Sequence, residues 1–285
     1  MSTVLEQHPP VCGGEVEAEV NYLAPGVDRP VAYTFEPPPG TPWVTGALAP
    51  HRVTIRDARP LAAAGEFGLD VSGFELRAHR TALTDFSDDA VIRSVYYAEV
   101  DALLRAATGA EKIVIFDHTL RDSAQGSRAT ASLREPVRRV HNDQTFVSAP
   151  RRVRDHLPAE EAEARLRQRF AIVNVWRPLD VVERLPLALC DARSIARGDL
   201  VPSDLVYRDK VGETYSITAN PAHRWYYFPR QRPDEVALLK IYDSLDDGRA
   251  RLTAHTAFDD PTTPETAPAR RSIEVRALVF WPPGA

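Results

Sequence analysis

Apolar and polar residues alternate along Glu15-Val16-Glu17-Ala18-Glu19-Val20, the pattern of a strand with one buried face. Residues 31–35 read as its partner. Residues 51–57 alternate again, so the first sixty residues read as a small β-ribbon laid on a main domain. Between them, Pro37-Pro38-Pro39-Gly40 breaks any regular element. Residues 73–77 form a further candidate strand. Val91, Val95, Val100, Leu103 and Leu104 then recur near helical spacing. That helix starts at an Asp85, Ser87 or Asp88 cap and stops at Gly109.

Past residue 110 the pattern changes. Short runs rich in β-branched and aromatic residues cover 112–116, 137–145, 171–176, 186–191, 213–218, 225–228, 235–242, 250–258 and 272–280. Residues 213–218 and 225–228 read as neighbouring strands across the Asn220-Pro221 turn. Asp246-Asp247-Gly248 reads as a hairpin-type turn. Residues 158–170 read as an exposed helix with an acidic first turn, and residues 122–133 as a mobile loop. Many short strands with turn signals between them predict a mainly β chain with some helix (α+β), built as a sandwich or barrel. No internal repeat and no linker divides the chain.

Composition narrows the class. With 24 prolines against 14 glycines, the 285-residue chain suits a turn-rich β fold. A formal net charge of −5 disfavours nucleic acid or an anionic membrane as the main partner. Cys12 and Cys190 stand alone, with no C-x-x-C, which predicts free thiols and a cytoplasmic setting. Residues 1–14 read as a loose tail without the features of a secretory signal, and no apolar run nears the ~20 residues that span a bilayer.

Candidate chemistry centres on His141-Asn142-Asp143. In a strand, residues two apart project to one face, so an imidazole and a carboxylate could reach one ion. An isolated H-x-D is more often a hydrogen-bonded pair. With a distant second histidine, two His and one carboxylate form the facial triad that holds non-haem Fe(II) with open positions. His255 is the choice for that third ligand, with His223 and His118 as competitors. Fifteen residues after His255 comes Arg270-Arg271-Ser272. A guanidinium can grip a carboxylate with two hydrogen bonds, and Ser272, two residues on, shares its face. Arg276 shares that face too, and two inward cations predict a dianionic ligand. Trp176, Trp225, Tyr227 and His118 are candidate pocket walls for a mid-sized hydrophobic metabolite.

These residues fall within a set of blocks that resembles a known family. The blocks include Phe116-Asp117-His118-Thr119, His141-Asn142-Asp143-Gln144-Thr145, Asn174-Val175-Trp176-Arg177-Pro178-Leu179, Asn220-Pro221-Ala222-His223-Arg224-Trp225 and His255-Thr256-Ala257-Phe258-Asp259-Asp260-Pro261. They resemble the hydroxylase/desaturase family of secondary metabolism, related to the cephamycin 7α-methoxylation protein and fungal gibberellin desaturase. The resemblance covers roughly residues 15–282. It implies an Fe(II)- and 2-oxoglutarate-dependent dioxygenase with a double-stranded β-helix (jelly-roll) core over 111–282. It also implies a β/α extension over 15–110, a helical insert, and one oxygenase domain in all. By motif, His141, Asp143 and His255 would hold iron, and Arg270 with Ser272 the distal carboxylate of 2-oxoglutarate. Arg276 matches a second arginine that some related families use on the inner carboxylate. O2 would be the other co-substrate and a small metabolite the partner, with a homodimer left open. A divalent-metal hydrolase or isomerase on the same barrel would also explain the triad but not the arginines. A non-catalytic small-molecule-binding barrel is the third reading.

Overall fold

The computed structural model describes residues 14–124 and 133–284. Fifteen strands are present among them: β1 (Glu15–Leu23), β2 (Val31–Tyr33), β3 (Leu48–Asp57), β4 (Phe74–Ala78), β5 (Lys112–Asp122), β6 (Leu133–Arg134), β7 (His141–Asn142), β8 (Phe170–Pro178), β9 (Leu187–Cys190), β10 (Leu200–Val206), β11 (Val211–Ile217), β12 (Trp225–Tyr227), β13 (Glu235–Asp243), β14 (His255–Ala257) and β15 (Arg271–Phe280). They form a nine-stranded sheet, in the order β1-β3-β12-β9-β14-β7-β11-β10-β2, and a six-stranded sheet, β4-β13-β8-β15-β5-β6. The two sheets curl into a jelly roll.

In the smaller sheet, β8 and β13 are buried on both faces, which explains why they read as continuous apolar runs. On its outer side, Val173, Val175, Val275 and Val279 pack against Ile92, Tyr96, Val100 and Leu104 of a helical stretch. On its inner side, Phe170, Ile172, Trp176, Leu278 and Phe280 face the interior. The helix begins at Asp88, whose carboxylate accepts from the backbone of Ala90 at 2.8 Å. It ends at Gly109 in the left-handed region. A π-helical turn, Ile92–Tyr96, shifts the buried stripe to Ile92 and Tyr96, away from Val91 and Val95. No helix among the described residues is long and apolar enough to cross a membrane.

Several expected elements are revised. β1 pairs with β3, and β2 instead lies parallel to β10 at the far edge of the same sheet. β3 also runs parallel to β12, so this N-terminal ribbon is an integral edge of the larger sheet. β11 and β12 are not neighbours; β7, β14 and β9 lie between them. The turn at 246–248 joins the two sheets, with β13 in one and β14 in the other, so it makes no hairpin. β10 and the helix Ser148–His156 were not read from sequence, and the second helix is shorter, Ala159–Leu166. The expected strand 137–145 shrinks to His141–Asn142, because Thr145 and Ser148 exchange backbone-to-hydroxyl hydrogen bonds of 2.8 and 2.9 Å that turn the chain into the helix. Most of the expected loop 122–133, residues 125–132, lies outside the described residues, as do Cys12 and the tail up to residue 13. Cys190 is free and buried.

One backbone joint fixes the approach to β4 against β13 in the smaller sheet. Gly73 sits at φ +81°, and its carbonyl accepts from Lys240 N at 2.7 Å. A Cβ there would lie 3.1 Å from both Leu252 O and Thr253 Cβ. Gly73→Ala is therefore expected to cost about 2–4 kcal/mol, from left-handed strain plus overpacking. Urea unfolding measures it, and an unchanged midpoint would refute the account.

Candidate metal centre

His141 and His255 sit directly opposite one another, paired across β7 and β14. Both strands lie mid-sheet, and the two rings are 4.3 Å apart between centroids. Asp143 lies just past the end of β7. One ligand atom from each of these three residues falls within 4.8 Å of the others. Asp143 Oδ1 is 3.4 Å from His141 Nε2.

The surrounding residues orient each ligand. His141 Nδ1 donates to the Arg139 carbonyl at 2.8 Å, which fixes the tautomer and leaves Nε2 as a lone pair facing Asp143. Asp143 Oδ2 accepts from Asn174 Nδ2 at 2.8 Å and Arg276 Nε at 3.0 Å. That leaves Oδ1 for an ion. Burial pushes the Asp143 carboxyl up, but Arg276 and the His141 ring hold it well below the usual carboxylate range. Burial, with His141 beside it, pulls His255 down to about 4, so its imidazole is neutral and able to ligate at neutral pH.

β15 in the opposite sheet supplies the floor. Ser272, Glu274 and Arg276 alternate inward, as period-2 geometry requires. Glu274, which sequence reading missed, accepts from Asn174 Nδ2 at 3.0 Å and from Arg276 Nη2 at 2.6 Å. Asp117 and Thr119 also engage Arg276, at 3.2 and 3.0 Å. They reach it because a bulge opposite Arg276–Ala277 shifts the register of β5 by one residue, turning Asp117, Thr119 and Arg121 inward. Arg276 is therefore matched by carboxylates of the protein itself. Burial lowers its pKa, yet Glu274, Asp143 and Asp117 raise it well above the ordinary value.

Arg270 lines a narrow crevice with His141, His255, Trp176 and Arg121. Its guanidinium lies 5.4 Å from the Trp176 ring centre, and Nη1 donates to the Leu185 carbonyl at 2.5 Å. Burial, with Arg121 nearby, pulls its pKa down to about 9. Among the described residues, Arg270 Nε, Ser272 Oγ and His255 Nδ1 are buried without hydrogen-bond partners. Buried donors of this kind call for an acceptor. A guanidinium with an unsatisfied Nε beside an unsatisfied hydroxyl fits the carboxylate of a small dianion, and the His/Asp/His set fits a divalent iron.

The remaining candidates lie elsewhere. His223 is fully engaged, with Nδ1 2.8 Å from Tyr22 Oη and Nε2 3.1 Å from Asp199. His118 borders the cavity above the triad, but the β5 bulge turns its ring to the outer helix. There Nδ1 meets Tyr97 Oη at 2.9 Å and Nε2 lies 3.4 Å from Asp89. Trp225 donates to Tyr22 Oη at 2.8 Å inside the core, and Tyr227 packs edge-on to Phe258. Of the four expected pocket walls, Trp176 alone turns its side chain to the triad, because strand parity and the bulge, not local sequence, choose the face.

Comparison with known proteins gives the same picture. A family model described as an oxidoreductase/YMDC permease-like domain matches residues 20–280. The chain is 36% identical to the hydroxylase/desaturase efuI of Hormonema carpetanum, over 80% of this chain and 83% of that protein. It is 35% identical to the alpha-ketoglutarate-dependent dioxygenase phiK of a fungal species, over 94% of this chain and 97% of that protein. The solved iron and alpha-ketoglutarate-dependent endoperoxidase NvfI superposes with a TM-score of 0.84 at 33% identity, over 94% of this chain and 98% of that one. With its fold, its His/Asp/His centre and these relatives, the chain belongs to the family of Fe(II)/2-oxoglutarate-dependent hydroxylases and desaturases.

Proposed function

We propose that the protein is an Fe(II)- and 2-oxoglutarate-dependent dioxygenase that hydroxylates or desaturates an unactivated C–H bond of a small secondary metabolite, with release of succinate and CO2. The observation that carries this reading is the His141/Asp143/His255 cluster beside a crevice that His141 and His255 line together with Arg270, where Arg270 Nε and, two residues on, Ser272 Oγ are buried without partners. A hydrolase would need the cluster but has no use for that anion end. The whole chain acts as one oxygenase domain, and its acidic charge and isolated cysteines support a cytoplasmic enzyme.

His141, Asp143 and His255 would hold the iron, and Arg270 with Ser272 the distal carboxylate of 2-oxoglutarate. When bound, iron and 2-oxoglutarate would activate O2, the oxidant for C–H cleavage, with 2-oxoglutarate oxidised to succinate and CO2. The chain's own residues prepare the centre. Asn174 and Arg276 pin one oxygen of Asp143, so the carboxylate offers the other and leaves coordination positions open. Trp176 covers Arg270 and limits its access to water. Arg276 is committed to Asp143, Glu274 and Asp117. That engagement supports a role in fixing the metal ligand over one in gripping a carboxylate of the co-substrate.

Anaerobic addition of Fe(II) and then 2-oxoglutarate is expected to produce a weak visible charge-transfer band. Its absence, with both ligands shown to bind, would overturn the reading. Arg270→Leu removes a charge-assisted contact, so the KM for 2-oxoglutarate is expected to rise about 10–100-fold with iron binding retained. Steady-state succinate formation checks it, and an unchanged KM would remove Arg270 from the site.

A further inference from the structure

The cavity that opens onto the triad is about 500 Å³, and its walls differ from the expected aromatic pocket. Arg139, Arg152, Lys210, Asp117, Glu213 and Asp143 are prominent on them. Of the four acids on them three are taken, and the fourth, Glu135, is exposed to solvent. Asp117 and Asp143 are held by Arg276, while Glu213 is held by Arg29 at 2.7 Å and by the Thr145 hydroxyl. The cations are not matched in return. Among the described residues, neither Arg139 nor Lys210 has a carboxylate within salt-bridge distance, and Arg152 has only Asp155, at 3.8 Å.

Arg139 is the most telling of these. It sits two residues before His141, and its backbone carbonyl already receives the His141 Nδ1 proton. Its guanidinium is half-buried against the cavity wall and makes no hydrogen bond among the described residues. Asp143 shares the cavity wall with it. Asp143 is itself occupied by Arg276, Asn174 and the triad. Withdrawing a guanidinium from water without a partner is unfavourable, and an anion entering the cavity relieves it.

We propose that this cavity selects metabolites bearing a carboxylate, and that Arg139 is the residue that reads it. The carboxylate end would be anchored at Arg139, close to the triad, with Lys210 and Arg152 adding positive potential along the wall. Anchoring one end of the substrate limits which of its C–H bonds can reach the metal centre. Arg139 thus sets both substrate class and site of attack. The inference rests on the oxygenase reading above.

The test uses the iron-loaded enzyme at saturating 2-oxoglutarate. A panel of mid-sized polycyclic and linear monocarboxylic acids is compared with the methyl ester of each, by substrate-dependent succinate formation. Acids are expected to stimulate turnover about tenfold or more over their esters, the scale of one charge-assisted hydrogen bond. Arg139→Gln is expected to collapse that ratio to near one, and Arg139→Lys to restore part of it. Equal stimulation by acid and ester, or by neither, overturns the proposal, as does an Arg139→Gln enzyme that discriminates like the wild type. A rise in the KM for 2-oxoglutarate with the acid/ester ratio intact would also overturn it, by moving Arg139 to the co-substrate. The wild-type acid/ester ratio stands even if the variants fail to fold. The two readings fail separately: loss of the charge-transfer band removes the oxygenase assignment, whereas a normal band with no acid preference removes only this inference.

Discussion

An Asp143→Ala enzyme is expected to form succinate from 2-oxoglutarate at least about 100-fold more slowly than wild type, and to lose its iron. Removing a group that merely orients a metal ligand costs about 10–100-fold, and Asp143 is placed as a ligand itself. The substitution also strands what holds it. Arg276 Nε and Asn174 Nδ2, now 3.0 and 2.8 Å from the carboxylate, would lose their acceptor. Two neutral imidazoles cannot replace the charge. Iron content after gel filtration and succinate formation are the measurements. Asp143→Asn keeps the shape while removing the anion, so it separates loss of metal from loss of folding. Turnover by Asp143→Ala at the wild-type rate would end the assignment.

The second large effect concerns stability. Glu274 lies fully inside, bonded to Arg276 and Asn174, with Arg121 at 3.8 Å. Burial raises its pKa, but Arg276, Arg121 and His255 together hold the carboxyl below its ordinary value, so it is ionised at neutral pH. Glu274→Ala would leave Arg121 and Arg276 with Asp143 as the nearest buried counter-charge. Breaking a buried ion pair on one side typically costs about 3–5 kcal/mol, because the remaining charge stays desolvated. Urea unfolding of the metal-free protein is expected to show that loss. A change within about 0.5 kcal/mol would mean the cluster is wetter or more adaptable than its geometry implies.

The sheet positions of these residues follow from packing that local sequence does not carry. β15 alternates cleanly, so Ser272, Glu274 and Arg276 could be placed on one face from sequence. Glu274 went unnoticed because a lone acid between two basic positions reads as a solvated charge. His118, which follows an apolar strand, does border the cavity, but the β5 bulge directs its ring nitrogens to Tyr97 and Asp89. Trp225 and Tyr227 belong to an aromatic cluster whose place in the core depends on β12 pairing with β3 and β9, partners far away in sequence. His223 resembled a ligand until Tyr22, about two hundred residues earlier, was found on its other nitrogen.

By itself, the sequence determined what is local. Apolar periodicity, the Asp88 cap and the Gly109 stop defined the helix, and β-branched runs defined most strands. The two-residue spacing of His141 and Asp143 brought an imidazole and a carboxylate together whatever the rest of the chain did. The tertiary structure decided everything that needs register between distant strands. It set His255 directly across from His141, turned Arg276 onto Asp143 and Glu274, and left Arg270 and Arg139 without anions of their own. The reason is physical. A side chain's face is reversed by a one-residue slip, and a buried charge is defined by partners that approach only once the sheets have closed.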